Sequence, residues 1–177
     1  MSVIIRMTFK FILVIIFITY SERSIAQTKL PLPNKLPKNV GDIAFDPKID
    51  DRHFQVCYPE DIYQYYAAKT TYVGGAKAVK NFFFSHYKYE RAFSTVTGYI
   101  TIRFIVNCKG RTGWFRIQQL DDHYYKAQFN KKMVGALLNL IKKLDHWVPG
   151  KYNGVDCDSY YYLNFKLQGG RLIDITP

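Results

Sequence analysis

Three cysteines carry the most reactive side chains of this chain: Cys57, Cys108 and Cys157. They lack the Cys-x-x-Cys spacing that supports thiol–disulfide catalysis. In an oxidising compartment, two of them can instead form a structural disulfide. The sequence leaves three outcomes open: a bond between Cys108 and Cys157, a bond that involves Cys57, or free thiols.

The other residues that could do chemistry have no spacing typical of a catalytic or metal site. The four histidines do not form a His-Glu-x-x-His pattern. Residues 121–123 (Asp-Asp-His) could bind a metal weakly, but such a run is far more often a solvated turn. The chain has neither a Gly-x-Ser-x-Gly nucleophile elbow nor a phosphate-binding glycine loop. We therefore predict no enzyme activity, no metal and no cofactor.

The N-terminus has the composition of a secretory signal. Arg6 and Lys10 precede an apolar run at residues 11–18, and the small residues Ser24 and Ala26 follow. A membrane-spanning helix needs about 20 mostly apolar residues, and this run is shorter. The sequence predicts cleavage after Ala26 and a soluble periplasmic or otherwise exported protein. The alternative is an uncleaved inner-membrane anchor.

The chain is basic, with a formal charge of +11 over 177 residues. Such a charge can favour nucleic acid, anionic envelope polymers or acidic partners. Export argues against nucleic acid, and the basic residues are scattered along the chain rather than gathered in one stripe. Solubility is the simplest role for this charge.

Alternation of apolar residues predicts the strands that must position any site. The stretch at residues 97–113 places Ile100, Ile102, Phe104 and Val106 on one face of a strand that runs into a turn. A second strand follows at residues 114–120, which indicates a hairpin. Further strands are predicted at residues 159–167 and, after Gly169-Gly170, at residues 171–176.

Apolar residues at three-to-four spacing predict two helices, at residues 76–86 and 126–144. Lys142 and Lys143 fall on the polar side of the longer one, which is most simply a solvated face. Residues 27–71 are predicted to be an extended N-terminal arm with a short helix near Tyr58. Residues 72–177 then form the domain.

The order helix, strand, strand, helix, strand predicts an α+β fold with helices on one face of an antiparallel sheet. We expect three strands in the order second-first-third, with a short fourth strand at the C-terminus. Core faces then match if Phe104 lies opposite Tyr161 and Ile102 opposite Leu163. The same parity would bring Cys108 opposite Cys157, which is the reason to consider that disulfide.

Four motifs resemble the C-terminal domain of TonB, the energy transducer of outer-membrane receptors. They are Gly74-Gly75, the Gly98-x-Ile-x-Ile-x-Phe-x-Val106 strand with Gly110 after it, Trp147-x-Pro149-Gly150-Lys151, and Asn164-Phe-Lys-Leu167. They occur in the family's order over about residues 72–168. A Tyr-Pro element usual in the family is replaced here by residues 87–92. A cleavable signal and a short arm further indicate a stand-alone module and not a working transducer.

The resemblance implies that a TonB-box peptide of a receptor pairs with an exposed sheet edge. Such an edge has unpaired amides and carbonyls that can accept another strand. The third strand is the expected edge, although residues 171–176 could fold back over its later half. The edge residues expected to bind are Ser159, Tyr160, Tyr161, Tyr162, Leu163, Asn164 and Phe165.

Clustered tyrosines support a different interpretation. Tyr124 and Tyr125, with the run at residues 160–162, could stack on sugars and so bind peptidoglycan. Tyrosines also pack well on sheets without any ligand. The expected partner is a TonB-dependent receptor or another envelope protein. The alternatives are a peptidoglycan-binding or structural module, and a homodimer through the same edge.

Overall fold

A computed structural model of the protein describes residues 41–177. The helices of this region are α1 (Tyr65–Ala68), α2 (Gly75–His86) and α3 (Lys131–Lys142), with a 3-10 turn at Arg91–Phe93. The strands are β1 (Tyr63–Gln64), β2 (Thr71–Tyr72), β3 (Gly98–Val106), β4 (Thr112–Asp121), β5 (Trp147–Val148), β6 (Gly150–Tyr152), β7 (Val155–Cys157), β8 (Ser159–Gln168) and β9 (Arg171–Thr176). The fold class is α+β, as the sequence predicted.

The main sheet has five strands, so the expected three-stranded sheet is too small. Its centre has the order β4-β3-β8, which is the predicted order of the second, first and third strands. β9 pairs antiparallel with the second half of β8, and β1 pairs parallel with its first two residues. Two smaller pairs, β2 with β5 and β6 with β7, complete the strands of the described region.

The register between β3 and β8 is the one that the alternation of apolar residues predicts. Phe104 lies opposite Tyr161, Ile102 opposite Leu163, and Ile100 opposite Phe165. A shift by one residue would turn every core side chain of β8 to the other face. Burial of matching faces therefore fixes the pairing.

The core lies between one face of this sheet and helices α2 and α3. Phe83 of α2, Met133 and Ile141 of α3 and Phe104 of β3 are all fully buried there. Burying such a side chain contributes about 1.5–3 kcal/mol relative to leaving it in water. The apolar faces of the two helices and the inward face of the sheet therefore form a single core cluster.

Helix α3 begins five residues later than the predicted start at residue 126, because Asn130 caps it. The Asn130 side-chain oxygen accepts hydrogen bonds from the backbone N–H groups of Lys132 and Met133. Residues 126–129 instead return along β4, where Ala127 N–H donates to the Gln119 carbonyl at 3.0 Å. The helix ends at Lys142, two residues before the predicted end.

Residues 41–58, here named the cover segment, lie on the sheet face opposite the helices. Ile43 and Phe54 pack there against Ile105 of β3 and Tyr160 of β8, and all four are buried. The sequence predicted this part of the arm to be extended and did not place it on the sheet. The helix predicted near Tyr58 is also displaced, since a turn and β1 precede α1.

The predicted signal sequence at residues 1–26, and the part of the arm at residues 27–40, lie outside the described residues. Among residues 41–177, no helix is long and apolar enough to cross a membrane.

Candidate binding edge and cleft

The outer side of β8, where the sequence predicted peptide binding, already carries other strands. β1 pairs with Ser159 and Tyr160, and β9 pairs with Asn164 to Gln168. Only the three residues between these pairings have no ladder partner on that side in the described chain. The predicted edge residues are therefore brought together in one strand, but they do not form a continuous open edge.

Helix α1 covers the remaining gap in the β8 edge. The ring of Tyr65 lies 4.6 Å from that of Tyr161 and 5.7 Å from that of Tyr162. Burial raises the pKa of Tyr161 to about 12. A peptide could pair here only if α1 moved away.

The motif residues Gly110, Trp147, Pro149 and Gly150 are neighbours in the fold. Gly110 has a φ of +70°, and a side chain there would collide with the Trp147 carbonyl oxygen. A β-carbon added at Gly150 would come equally close to the β-carbon of Ala68 in α1. These glycines let the β3–β4 turn and α1 approach the chain that follows α3. Their role is packing.

Gly98 opens β3 with a φ of +140°, and it faces the backbone of Leu120 and Asp121. A β-carbon would clash with both residues of β4. The conformation required at the start of the hairpin therefore excludes other residues at this position.

The disulfide joins Cys57 to Cys108, and Cys157 is a free, buried thiol. The expectation of a Cys108–Cys157 bond is therefore wrong. The β3–β8 ladder ends at the pair Val106 and Ser159, two residues before the register would reach Cys108 and Cys157. Beyond that pair Cys108 belongs to a turn, while Cys157 pairs with Gly150.

Asp158 joins three parts of the chain beside this disulfide. Its carboxylate accepts the backbone N–H of Cys108 at 2.9 Å and that of Tyr58 at 2.6 Å, and it is fully buried. Its own carbonyl accepts the N–H of Tyr63 at 3.0 Å. The three groups Cys57, Cys108 and Asp158 are close enough to suggest a metal site. The disulfide and these hydrogen bonds already occupy the atoms that would bind one.

The outer side of β4 is open along residues 112–118. β3 lies on one side of this strand, and the described chain pairs with the other side only near Leu120, through Lys126. The Gln119 carbonyl points to that outer side, because it accepts from Ala127. Backbone groups of an antiparallel strand alternate, so the N–H and C=O of Ile117 also point outward. The side chain of Ile117 is 39 % exposed.

A cleft of about 400 Å³ lies at the start of this open edge, between the cover segment and β4. Phe54, Trp114 and Phe115 provide its aromatic lining. Three cationic residues line it as well, namely Lys48, Arg111 and Lys142. The ammonium of Lys142 lies 5.4 Å from the centre of the Phe115 ring.

Two acidic residues also line the cleft, Asp50 and Asp51, and within residues 41–177 only Asp50 is in an ion pair. Asp50 pairs with Arg116, whose guanidinium holds the pKa of that carboxyl below its usual range. One Asp51 oxygen accepts the backbone N–H of His53. None of the cleft's three cations forms an ion pair with a residue of the described chain. The cleft therefore has an excess of positive charge.

Trp114 fixes the shape of this end of β4. It has a φ of +51°, and the β3–β4 register shifts beside it, between Arg103 and Ile105. Its ring contacts those of Phe45 and Phe54, at 5.6 and 6.2 Å. A non-glycine residue holds this conformation only where its surroundings determine it. The cover segment and the bulge thus shape the cleft together.

The remaining candidates are turns and stacked rings. One Asp121 oxygen accepts the backbone N–H groups of His123 and Tyr125, as expected for a turn at residues 121–123. Tyr124 stacks on Tyr99 with ring centres 5.3 Å apart and planes 12° from parallel. Tyr125 is 73 % exposed.

Sequence reasoning missed the β4 edge and the cleft. One signal was present, since the predicted strand order already placed the second strand at an edge of the sheet. Helical periodicity places Lys142 on a solvated face, and no periodicity links it to Lys48 or Arg111. Only the fold brings these three residues together.

No family model matches this chain, and neither a curated protein nor a solved structure does. The resemblance to TonB C-terminal domains therefore rests on the motif residues and their spacing.

Proposed function

We propose that this chain is an exported, non-catalytic envelope protein that binds an extended peptide by strand addition. The partner is a TonB-dependent receptor or another outer-membrane or periplasmic protein. The observation that carries the proposal is the outer side of β4, where residues 112–118 have no ladder partner in the described chain. Such an edge offers hydrogen-bond donors and acceptors to an incoming strand.

The proposed edge differs from the one that the family resemblance implies. At β8, a peptide would have to displace β1, α1 or β9 before it could pair. At β4, the N–H and C=O of Ile117 already face outward, so pairing there displaces no other strand of the described chain, although the nearby Phe115 carbonyl accepts a hydrogen bond from Arg116 Nη1 at 2.9 Å. The exposed apolar side chain of Ile117 would become more buried beside the side chains of the added strand.

An NMR titration of the isotope-labelled full chain with TonB-box peptides tests the proposal. We expect saturable shifts at residues 115–118, and slower hydrogen exchange of the Ile117 amide once a peptide carbonyl accepts from it. Shifts centred on residues 159–165 would show that the β8 edge opens instead. A spectrum that stays unchanged at both edges would exclude strand addition.

N-methylated peptides provide a matched control for this titration. Every second amide of an added strand faces β4, and the others face away. Methylating the amides that face β4 removes donors and should abolish binding, whereas methylating the alternate set should leave it intact. Equal affinity of the two peptide sets would argue for side-chain docking without a shared ladder.

A second copy of the chain is another occupant that an open edge can accept. Sedimentation measured across a wide concentration range distinguishes this case. A monomer that binds peptide supports the proposal, while a dimer whose Ile117 amide is protected without peptide would make the edge a self-association surface.

Glycan binding is a second candidate, favoured by the stacked Tyr99 and Tyr124. Tyr124 is 67 % exposed and so presents a ring to solvent. Retention on purified cell-wall sacculi that survives high salt would support it, because salt screens simple charge attraction. Tyr124→Ala should then abolish retention. Tyr66→Ala is the control and should leave retention unchanged, because Tyr66 is similarly exposed but distant in sequence.

A further inference from the structure

The basic cleft lies at one defined end of the open β4 edge. Thr112, Gly113 and Phe115 line the cleft and also belong to the strand, so a peptide that pairs along β4 must reach it. At the other end, residues 124–129 cover the outer side of β4 through Ala127 and the Leu120–Lys126 bridge. The cleft therefore receives only the end of the peptide that lies beside Thr112.

The direction of the peptide decides which of its ends that is. β4 runs from Thr112 to Asp121, so an antiparallel strand runs the opposite way and arrives at Thr112 with its C-terminal end. A parallel strand would bring its N-terminal end to the cleft. Because the cleft is positively charged, it favours whichever end of the peptide carries negatively charged groups.

The cleft is suited to carboxylates. Lys48, Arg111 and Lys142 come from the cover segment, the β3–β4 turn and α3, and none is in an ion pair within residues 41–177. The Asp50 charge is compensated by Arg116 outside the cleft lining, so Asp51 is the one lining carboxylate of the described chain that opposes the three cations. A space of about 400 Å³ exceeds what one carboxylate requires, so it can accept more than one acidic side chain.

We propose that the partner segment adds antiparallel to β4, since parallel pairing is slightly less stable per residue, and that it carries acidic side chains directly after its paired stretch, which enter this cleft. The inference rests on strand addition at β4, the function proposed above. It specifies the class of partner: an internal extended segment of alternating residues followed by aspartate or glutamate. The positive cleft sets the orientation and register of the peptide.

Three synthetic peptides test this inference. Each is acetylated and amidated, so that terminal charges are absent, and each contains Thr-Val-Thr-Val-Thr-Val. The first peptide has Asp-Asp after this stretch, the second has Asn-Asn after it, and the third has Asp-Asp before it. Binding of each is measured by NMR on the full chain, at low and at high salt.

We expect the first peptide to bind about five- to tenfold tighter than the second, and the third to show no such advantage. High salt should reduce the advantage, because these charges are near the surface. Equal affinities, with the Ile117 amide shifted by all three peptides, would overturn the acidic-end inference and leave strand addition standing. No shift at Ile117 with any peptide would overturn both.

Two protein variants test whether the preference for the first peptide depends on a cation of the cleft. Lys142→Gln removes a cation of the cleft, whereas Lys143→Gln removes the next lysine of the same helix end, which is also exposed but lies outside the cleft. The advantage of the first peptide should fall in K142Q and persist in K143Q. Loss of the advantage in both variants alike would assign it to the general charge of the protein.

Discussion

Arg116 of β4 holds Asp50 of the cover segment through both of its terminal nitrogens. Nη1 donates to one carboxylate oxygen at 2.8 Å, and Nη2 donates to the other at 2.7 Å. The Asp50 side chain is 1 % exposed, and that of Arg116 is 28 % exposed. A second hydrogen bond from Nη2 reaches the Ala44 carbonyl. This pair therefore fastens the segment that forms one wall of the cleft.

Replacing Asp50 by Asn should lower the free energy of unfolding at neutral pH by about 1–3 kcal/mol, because Arg116 is left without its charged partner. Hydrogen bonding to Arg116 lowers the Asp50 pKa in the folded protein. The stabilisation is thus fully present above the unfolded pKa of about 3.9 and disappears as pH falls through the lower folded value.

Denaturant unfolding at several pH values checks this prediction. The difference between the native protein and Asp50→Asn should shrink in acid. Asp51→Asn is the control, because Asp51 is exposed and in no ion pair of the described chain. A difference that stayed constant from neutral pH down to about pH 2 would show that the charge of Asp50 is not its source.

The Cys57–Cys108 disulfide should stabilise the fold by about 2–5 kcal/mol, since it closes a long loop in the unfolded chain. The double change Cys57→Ser with Cys108→Ser should remove this contribution, and Cys157→Ala should leave the bond intact. Non-reducing peptide mapping should recover Cys57 linked to Cys108. Cys157 should resist alkylation until the protein unfolds, because it is buried. A peptide linking Cys108 to Cys157 would contradict the pairing.

Alternation and helical spacing predicted those parts of the fold in which a whole face is buried. Ile100, Ile102 and Phe104 repeat every second residue, so their pairing with β8 followed from the sequence. The cover segment depends on single contacts, such as Phe54 and Asp50, that leave no periodic pattern. The sequence left a bond that involves Cys57 open but could not select it for a related reason: parity describes a ladder, but it does not show where the ladder ends.

Gly110→Ala should destabilise the protein by about 2–4 kcal/mol. The substitution adds the strain of a positive φ, about 1 kcal/mol, to a clash with the Trp147 carbonyl that backbone movement must relieve. Gly154→Ala is the matched control, because its φ is +82° but its β-carbon would meet no atom within 4 Å. Thermal unfolding of both variants checks this prediction. Equal losses would mean that conformation alone, and not the contact with Trp147, requires glycine at position 110.

The same substitution should have opposite effects at Asn130, the N-cap of α3, and at Asn139, inside this helix. Asn130→Ala removes the cap that satisfies the Lys132 and Met133 amides, and it should cost about 1 kcal/mol. Asn139→Ala, at an exposed position inside the helix, should stabilise by a few tenths of a kcal/mol, because alanine favours helix more than asparagine does. Denaturant unfolding measures both effects. A loss at both positions would contradict the capping role of Asn130.

Asn130 also lies next to the segment that covers the end of the β4 edge. Residues 126–129 precede this cap, and Ala127 pairs with Gln119 on the outer side of β4. Without the cap, a helix that extends towards residue 126 would withdraw this pairing. Hydrogen exchange of the Ala127 amide should then become faster in Asn130→Ala, while exchange at Asn139→Ala should not change. If the proposed peptide pairs along β4, its shifts should extend to Gln119 in the first variant alone, because only there does the covered part of the edge become available.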